Sequence, residues 1–341
     1  MIRSRNLQTA NNFTSPPTKA AMAATPLLYR GDEFIVNARN LSSLNLCSDD
    51  SYESRCHIAF APSKDWSTSR VGIIFHGAAR VDPRSYSPLM DLISDRYGIP
   101  GVVTIFESDL TLRTGACRTF RLRLAKTEFP EVEKWIFAGH ALGGVAAAND
   151  VWANKFGPNS SDTADSVGGL VLLAADVQSI GCGVVDFLGT GFPLAMVTAS
   201  EDQILNRTRF AANRRLASNQ TFFVDIFGGN HDQFSSFNAS LRFENLGRQD
   251  GTPKILPEVQ WDLTAAAIYN VAARTNATLP RRVDKVDGDS TSGASGTSTA
   301  ECPPESGPSF TSAGTTSGLF SQNSTATMLL TLLLLWLKKR L

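Results

Sequence analysis

Three stretches of this sequence carry residue types that could perform acyl transfer together. Ala138-Gly-His-Ala-Leu-Gly-Gly144 follows the apolar run Trp135–Phe137 and precedes a small-residue helical stretch reaching Trp152. A strand that turns sharply into a helix between glycines holds one side chain at the apex of a nucleophile elbow. The glycines let the two backbones pass where a Cβ would clash. The apex here is Ala141, which has neither hydroxyl nor thiol. Downstream, Ala199-Ser-Glu-Asp202 supplies an acid and Gly228-Gly-Asn-His-Asp-Gln-Phe234 supplies a base. A histidine oriented by a carboxylate is the device that takes a nucleophile's proton. Glu201 and Asp232 are the neighbouring alternatives for the acid.

Elements to position these groups are written in the same chain. Val71–Phe75 is continuously apolar, as a strand buried on both faces should be. Further strands are expected at Glu33–Ala38, Cys56–Ala61, Gly101–Phe106, Val167–Ala174, Pro193–Thr198 and Thr221–Phe227. Helices are expected at Ser85–Tyr97, Gly115–Lys126, Leu205–Ser218 and Val259–Arg274, with the elbow helix running to Phe156. Alternation of strand and helix from residue 71 to 274 predicts an α/β fold, a doubly wound, mostly parallel sheet. Ligand-handling groups of such sheets lie at the carboxyl ends of the strands. His76–Ala79, Gly139–Gly143, Glu201–Asp202 and His231 all sit there.

On these stretches, with Val71-Gly-Ile-Ile-Phe-His-Gly-Ala-Ala79 and Gly169-Leu-Val-Leu-Leu-Ala-Ala175, the chain resembles the α/β-hydrolase superfamily. Within it, the branch it looks like is the small, lid-poor fold-5 group of dienelactone-hydrolase-like proteins. The resemblance spans roughly residues 30–275. It implies a triad in the chain order nucleophile, acid, base, which falls on Ala141, Asp202 and His231. It also implies an oxyanion hole from the backbone N–H of Leu142 and of Ala78. Backbone donors are indifferent to the side chain at the apex. His140 is read as packing beside the elbow, His76 as shaping the oxyanion turn, and His57 is given no role. The implied protein is an ester-hydrolase relative, catalytically impaired at Ala141, that binds a small hydrophobic or ester-like ligand. The alternatives are an active hydrolase using water activated by His231 or another nucleophile, and a non-catalytic surface interaction protein.

Composition bounds the remainder. The chain has 341 residues, 32 basic and 32 acidic, so no basic footprint points to nucleic acid. The five cysteines, Cys47, Cys56, Cys117, Cys182 and Cys302, have no zinc-ligand spacing, and neither metal nor cofactor is expected. Cys47 and Cys56 are near enough to pair in an oxidising compartment, or they remain free thiols. Acceptor sequons at Asn12, Asn40, Asn159, Asn206, Asn219, Asn238, Asn276 and Asn323 lean toward a secreted or surface glycoprotein. Residues 1–30 read as disordered, 31–275 as the folded domain and 276–325 as a Ser/Thr/Gly-rich stalk. Residues 326–341 carry the apolar run Met328–Leu337, too short for the roughly 17–25 residues of a bilayer span. With Ser312-Ala-Gly314 upstream it fits a glycolipid-anchor signal, while Lys338-Lys-Arg340 suits a short tail anchor. Either way the expected location is a membrane of the cell surface or secretory pathway.

Overall fold

The computed structural model describes residues 17–26, 28–30, 35–37, 57–62, 70–106, 120–158, 160, 162–180, 183–237 and 249–275. Among the described residues nine strands form one sheet: β1 (Leu28–Arg30), β2 (Ile35–Asn37), β3 (His57–Phe60), β4 (Val71–His76), β5 (Gly101–Thr104), β6 (Lys134–His140), β7 (Val167–Leu173), β8 (Leu194–Ala199) and β9 (Phe222–Ile226). Their spatial order is β2-β1-β3-β5-β4-β6-β7-β8-β9. β4 to β9 pair in parallel, while β3 and β1 join antiparallel at one side. The helices are α1 (Lys19–Ala24), α2 (Ser87–Tyr97), α3 (Phe120–Glu128), α4 (Leu142–Val151), α5 (Arg207–Asn213) and α6 (Pro257–Ala272).

Alternation along the central strands sends successive side chains into two separate cores. Ile73, Phe75, Ile136, Ala138, Val171 and Val197 meet Leu89 and Ile93 of α2 and Ile268 and Val271 of α6. Ile74, Trp135, Phe137, Leu170, Leu172 and Met196 meet Leu122 of α3 and Ala147 and Val151 of α4. The sheet is thus doubly wound, and β4 through β8 are buried along their length, apart from Lys134 at the start of β6, because both faces are covered. β9 alternates in exposure instead, as an edge strand must. Its Phe222 and Phe223 lie under the guanidinium groups of Arg274 and Arg214, 4.6 Å and 3.8 Å from the ring centres.

β4 has β5 on one side and β6 on the other, so chain order reverses between β4 and β6. Crevices open at the carboxyl ends of strands at such a reversal. His76 and His140 close those two strands, which puts the elbow at the switch point.

Several boundaries differ from the sequence reading. The segment expected to start a helix at Ser85 opens as a 3-10 turn, Pro83–Tyr86, before α2; Pro88 in the first turn of α2 has no N–H to extend the helix backwards. The basic helix is shorter, α5 followed by a 3-10 turn at Arg214–Leu216. The N-terminal segment, read as disordered, contains α1, capped by the Thr18 hydroxyl and seated by its fully buried Ala21. A six-residue helix has too little periodicity to be seen in sequence. All five cysteines, the stalk 276–325 and the anchor segment 326–341 lie outside the described residues. Of the sequons, Asn206 and Asn219 are described and exposed. Among the described residues no helix is long and apolar enough to cross a membrane.

Candidate active site

The elbow is built from the absence of Cβ atoms. A methyl on Gly139 would stand 2.4 Å from the Gly143 carbonyl oxygen, and one on Gly143 only 2.2 Å from the carbonyl oxygen of His76. One on Gly144 would meet the Ala175 methyl at 2.5 Å. Strand, helix and the neighbouring turn therefore interlock through bare backbone. Between them Ala141 is held at φ 50°, ψ −119°. Its N–H donates to the Leu173 carbonyl at 2.9 Å, and its own carbonyl accepts from Gly144 N–H at 3.0 Å. A non-glycine residue in this region costs on the order of 1–3 kcal/mol and persists only where its surroundings enforce it. An alanine has no local reason to be there. The surroundings are shaped to hold an apex side chain, and Ala141 itself is only partly buried.

The side chains that the sequence singles out as acid and base, Asp202 and His231, meet in the structure. Asp202 follows β8 in a turn closed by its N–H to the Ala199 carbonyl at 3.1 Å. Its Oδ1 accepts from the backbone N–H groups of Ile204 and Leu205, both at 2.8 Å. Its Oδ2 lies 2.8 Å from His231 Nδ1, and both side chains are buried. Burial alone pushes the Asp202 carboxyl up. The His231 hydrogen bond and charge, with the two backbone donors, outweigh it and hold the group below the usual carboxylate value. Glu201 is engaged elsewhere, 2.8 Å from Lys254 Nζ. The Asp232 N–H donates to Asp250. Asp202 is therefore the carboxylate on His231. With Nδ1–H donated to it, His231 Nε2 is left as the acceptor, and it is buried with no hydrogen-bond partner among the described residues.

His231 is fixed by α6, a connection the sequence reading lacks. Gln260 Oε1 accepts from Asn230 N–H at 3.1 Å, and Gln260 Nε2 donates to the Asn230 carbonyl at 2.8 Å. A Cβ on Gly229 would strike Gln260 Oε1 at 2.3 Å, so glycine there lets the fully buried amide reach the backbone. No sequence signal marks Gln260 beyond a polar residue on the buried face of the last helix.

The histidines sort themselves by contact. His140, next to the apex, is fully buried with its ring centre 4.6 Å from that of His231 and its Nδ1 3.0 Å from the Tyr86 hydroxyl. His76 points to the other face of the sheet. Its Nδ1 meets Thr104 Oγ1 at 2.8 Å and its Nε2 meets Asp150 Oδ2 at 3.0 Å, with Arg121 Nη1 also donating to that oxygen at 2.9 Å. Burial depresses the His76 pKa below 6.5 despite the Asp150 hydrogen bond. Its side chain thus links the end of β4 to β5 and α4. His57 lies against Glu128 at 3.3 Å.

Of the two oxyanion candidates, the Leu142 N–H is the first of α4, at the positive end of the helix. The Ala78 N–H is not open: it donates to the Tyr86 hydroxyl at 2.8 Å. Among the described residues no cluster of three or more His, Cys, Asp or Glu is arranged to hold a metal ion.

An alpha/beta hydrolase family model matches residues 72–241, which contain Ala78, Ala141, Leu142, Asp202 and His231 but not Gln260. Among solved structures, esterase 2 of Thermogutta terrifontis phosphoramylated by tabun is similar at 15% identity and TM-score 0.45, over 63% of this chain and 89% of that one. The butyrate-bound form of the same esterase gives 14% identity and TM-score 0.44, over 65% and 91%. No curated protein matches the chain in sequence.

Proposed function

We propose that this chain, which belongs to the α/β-hydrolase superfamily, is a catalytically impaired member whose site binds a small hydrophobic or ester-like ligand without efficient turnover. One observation carries the reading: a strained elbow puts a methyl group at Ala141, and the ring of the adjoining His140 lies 4.6 Å from that of His231, whose Nδ1 is 2.8 Å from the buried Asp202 carboxylate. Everything needed to activate a hydroxyl is kept except the hydroxyl. Without it no acyl-enzyme can form at residue 141, and binding is what remains for the site. The apolar end at Met328–Leu337 is read as tethering the domain to a membrane.

A second reading rests on His231 Nε2, which is buried with no hydrogen-bond partner among the described residues and could accept a proton from water. Serine hydrolases stripped of triad members retain about 10³–10⁴-fold catalysis over water. Such a rate would be slow beside that of an intact triad.

The full chain should be assayed with p-nitrophenyl acetate and butyrate, with and without a serine-directed phosphonate. Turnover is expected near background, with no phosphonate adduct by intact mass. Ordinary esterase rates abolished by the phosphonate would overturn the reading. A weak rate that falls in His231→Ala would favour activated water.

A further inference from the structure

We propose that Tyr86 closes the oxyanion position of this site, so that the elbow is shut at two points, the apex methyl and the hole. The inference rests on the hydrolase reading of the elbow and deepens it. An oxyanion hole works by offering unpaired N–H donors 2.7–3.1 Å from the oxygen on which charge develops. Ala78 N–H, the donor contributed by the turn after β4, already has an oxygen at 2.8 Å, and it is the Tyr86 hydroxyl. That hydroxyl is in turn 3.0 Å from His140 Nδ1, which ties it to the residue before the apex. A substrate carbonyl would have to take the place the phenol oxygen holds.

The phenol is built in rather than swung in. Tyr86 is fully buried, its ring centre 4.8 Å from that of Phe75. Gly77 lacks the Cβ that would stand 2.8 Å from the ring. The turn that carries it is pinned by Asp82 and Arg84, both fully buried. Arg84 Nε donates to Asp82 Oδ1 at 2.8 Å, and Arg84 Nη2 bonds Oδ2. On one side the Ser85 carbonyl accepts from Ser236 N–H at 2.7 Å, in the loop that follows His231. On the other, Ser87 Oγ lies 2.8 Å from Thr25 Oγ1, at the end of α1. Moving the ring means dismantling a buried ion pair and two tertiary hydrogen bonds. Of the two backbone donors implied for the hole, Ala78 N–H is therefore taken by the phenol oxygen, which leaves Leu142 N–H at the start of α4.

The test uses the full-length chain in four forms: wild type, Ala141→Ser, Tyr86→Phe and the double variant. Two quantities are read, p-nitrophenyl acetate turnover and the hydrogen-exchange protection of the Ala78 amide. Protection is expected in the wild type and its loss, by about tenfold or more, in Tyr86→Phe. Ala141→Ser is expected to remain slow, and the double variant to exceed it by about 100-fold, the worth of one oxyanion donor. An unprotected Ala78 amide in the wild type, or Ala141→Ser turning over as fast as the double variant, would overturn the proposal. If Tyr86→Phe frees the Ala78 amide but neither serine variant turns over, the Tyr86 contact is upheld. What then falls is the hydrolase reading of Asp202 and His231.

Discussion

A Cβ placed on Gly143 would lie 2.2 Å from the carbonyl oxygen of His76, so the elbow helix and the β4 turn touch backbone to backbone. Neither partner is a flexible side-chain end, and neither can withdraw without moving a strand. Gly143→Ala should therefore cost about 3 kcal/mol or more, at the upper end of overpacking penalties. Gly189 makes the contrast: φ is +76° and nothing lies within 4 Å of a Cβ there. Gly189→Ala should cost only the left-handed backbone penalty, about 1–2 kcal/mol. Urea unfolding midpoints of the two variants at constant m-value check the difference.

Strain at the apex gives a prediction of opposite sign. Ala141 holds φ 50°, ψ −119° with no functional side chain to show for it. Glycine adopts positive φ freely, at an entropic cost of roughly 0.5–1 kcal/mol in the unfolded chain. Against on the order of 1–3 kcal/mol of strain, Ala141→Gly should be stabilising by about 1 kcal/mol. Thermal or urea unfolding showing a loss of stability would mean that the elbow is not strained.

These two cases show what the sequence could record. Where the fold needs two backbones in contact, only glycine fits, and Gly139, Gly143 and Gly144 are spelled out in the chain. Asp202 and His231 were legible because both follow apolar runs that become β8 and β9, and sheet topology places strand ends together. Tyr86 was not legible as part of the site. In the sequence it is one more apolar position of the helix expected at Ser85–Tyr97, and its place appears only in the 3-10 turn that Asp82 and Arg84 hold. Gln260 was hidden for the same reason, because its partner is the backbone of Asn230, thirty residues away. α1 is held by the Thr18 and Thr25 hydroxyls against Ser236 and Ser87, contacts with no periodic signature.

Acid should weaken the fold in two separate ranges. Burial holds the folded His76 pKa below 6.5, so from 6.5 downward the unfolded chain takes up a proton that the folded chain refuses. Stability is then greatest above 6.5 and declines as pH falls below it. Asp202 acts lower: its folded pKa lies below 3.8, and its contribution is kept above 3.8 and lost as pH falls through the folded value. Urea midpoints should be level from pH 8 to 7 and fall as pH drops below about 6.5. The fall should flatten in His76→Gln, and an unchanged slope in that variant would assign the effect to another group.

The Asp82–Arg84 pair supplies the last prediction, because both side chains are fully buried and bound to each other through two oxygens. Burying an ion pair is rarely stabilising in itself, since desolvation offsets most of the attraction. Breaking one is different: Arg84→Met would leave the fully buried Asp82 carboxylate without its guanidinium, a loss of about 3–5 kcal/mol. Removing both charges in Asp82→Leu/Arg84→Met should recover most of that, because the Asp82 carboxylate is no longer there to be stranded. The recovery will be incomplete, since Asp82 Oδ1 also accepts the Arg84 N–H at 2.9 Å and caps the 3-10 turn. That cap is worth about 1 kcal/mol. A double-mutant cycle on unfolding free energies separates the two contributions. If Arg84→Met alone costs less than about 1 kcal/mol, as an exposed pair would, the pair does not pin the turn that carries Tyr86.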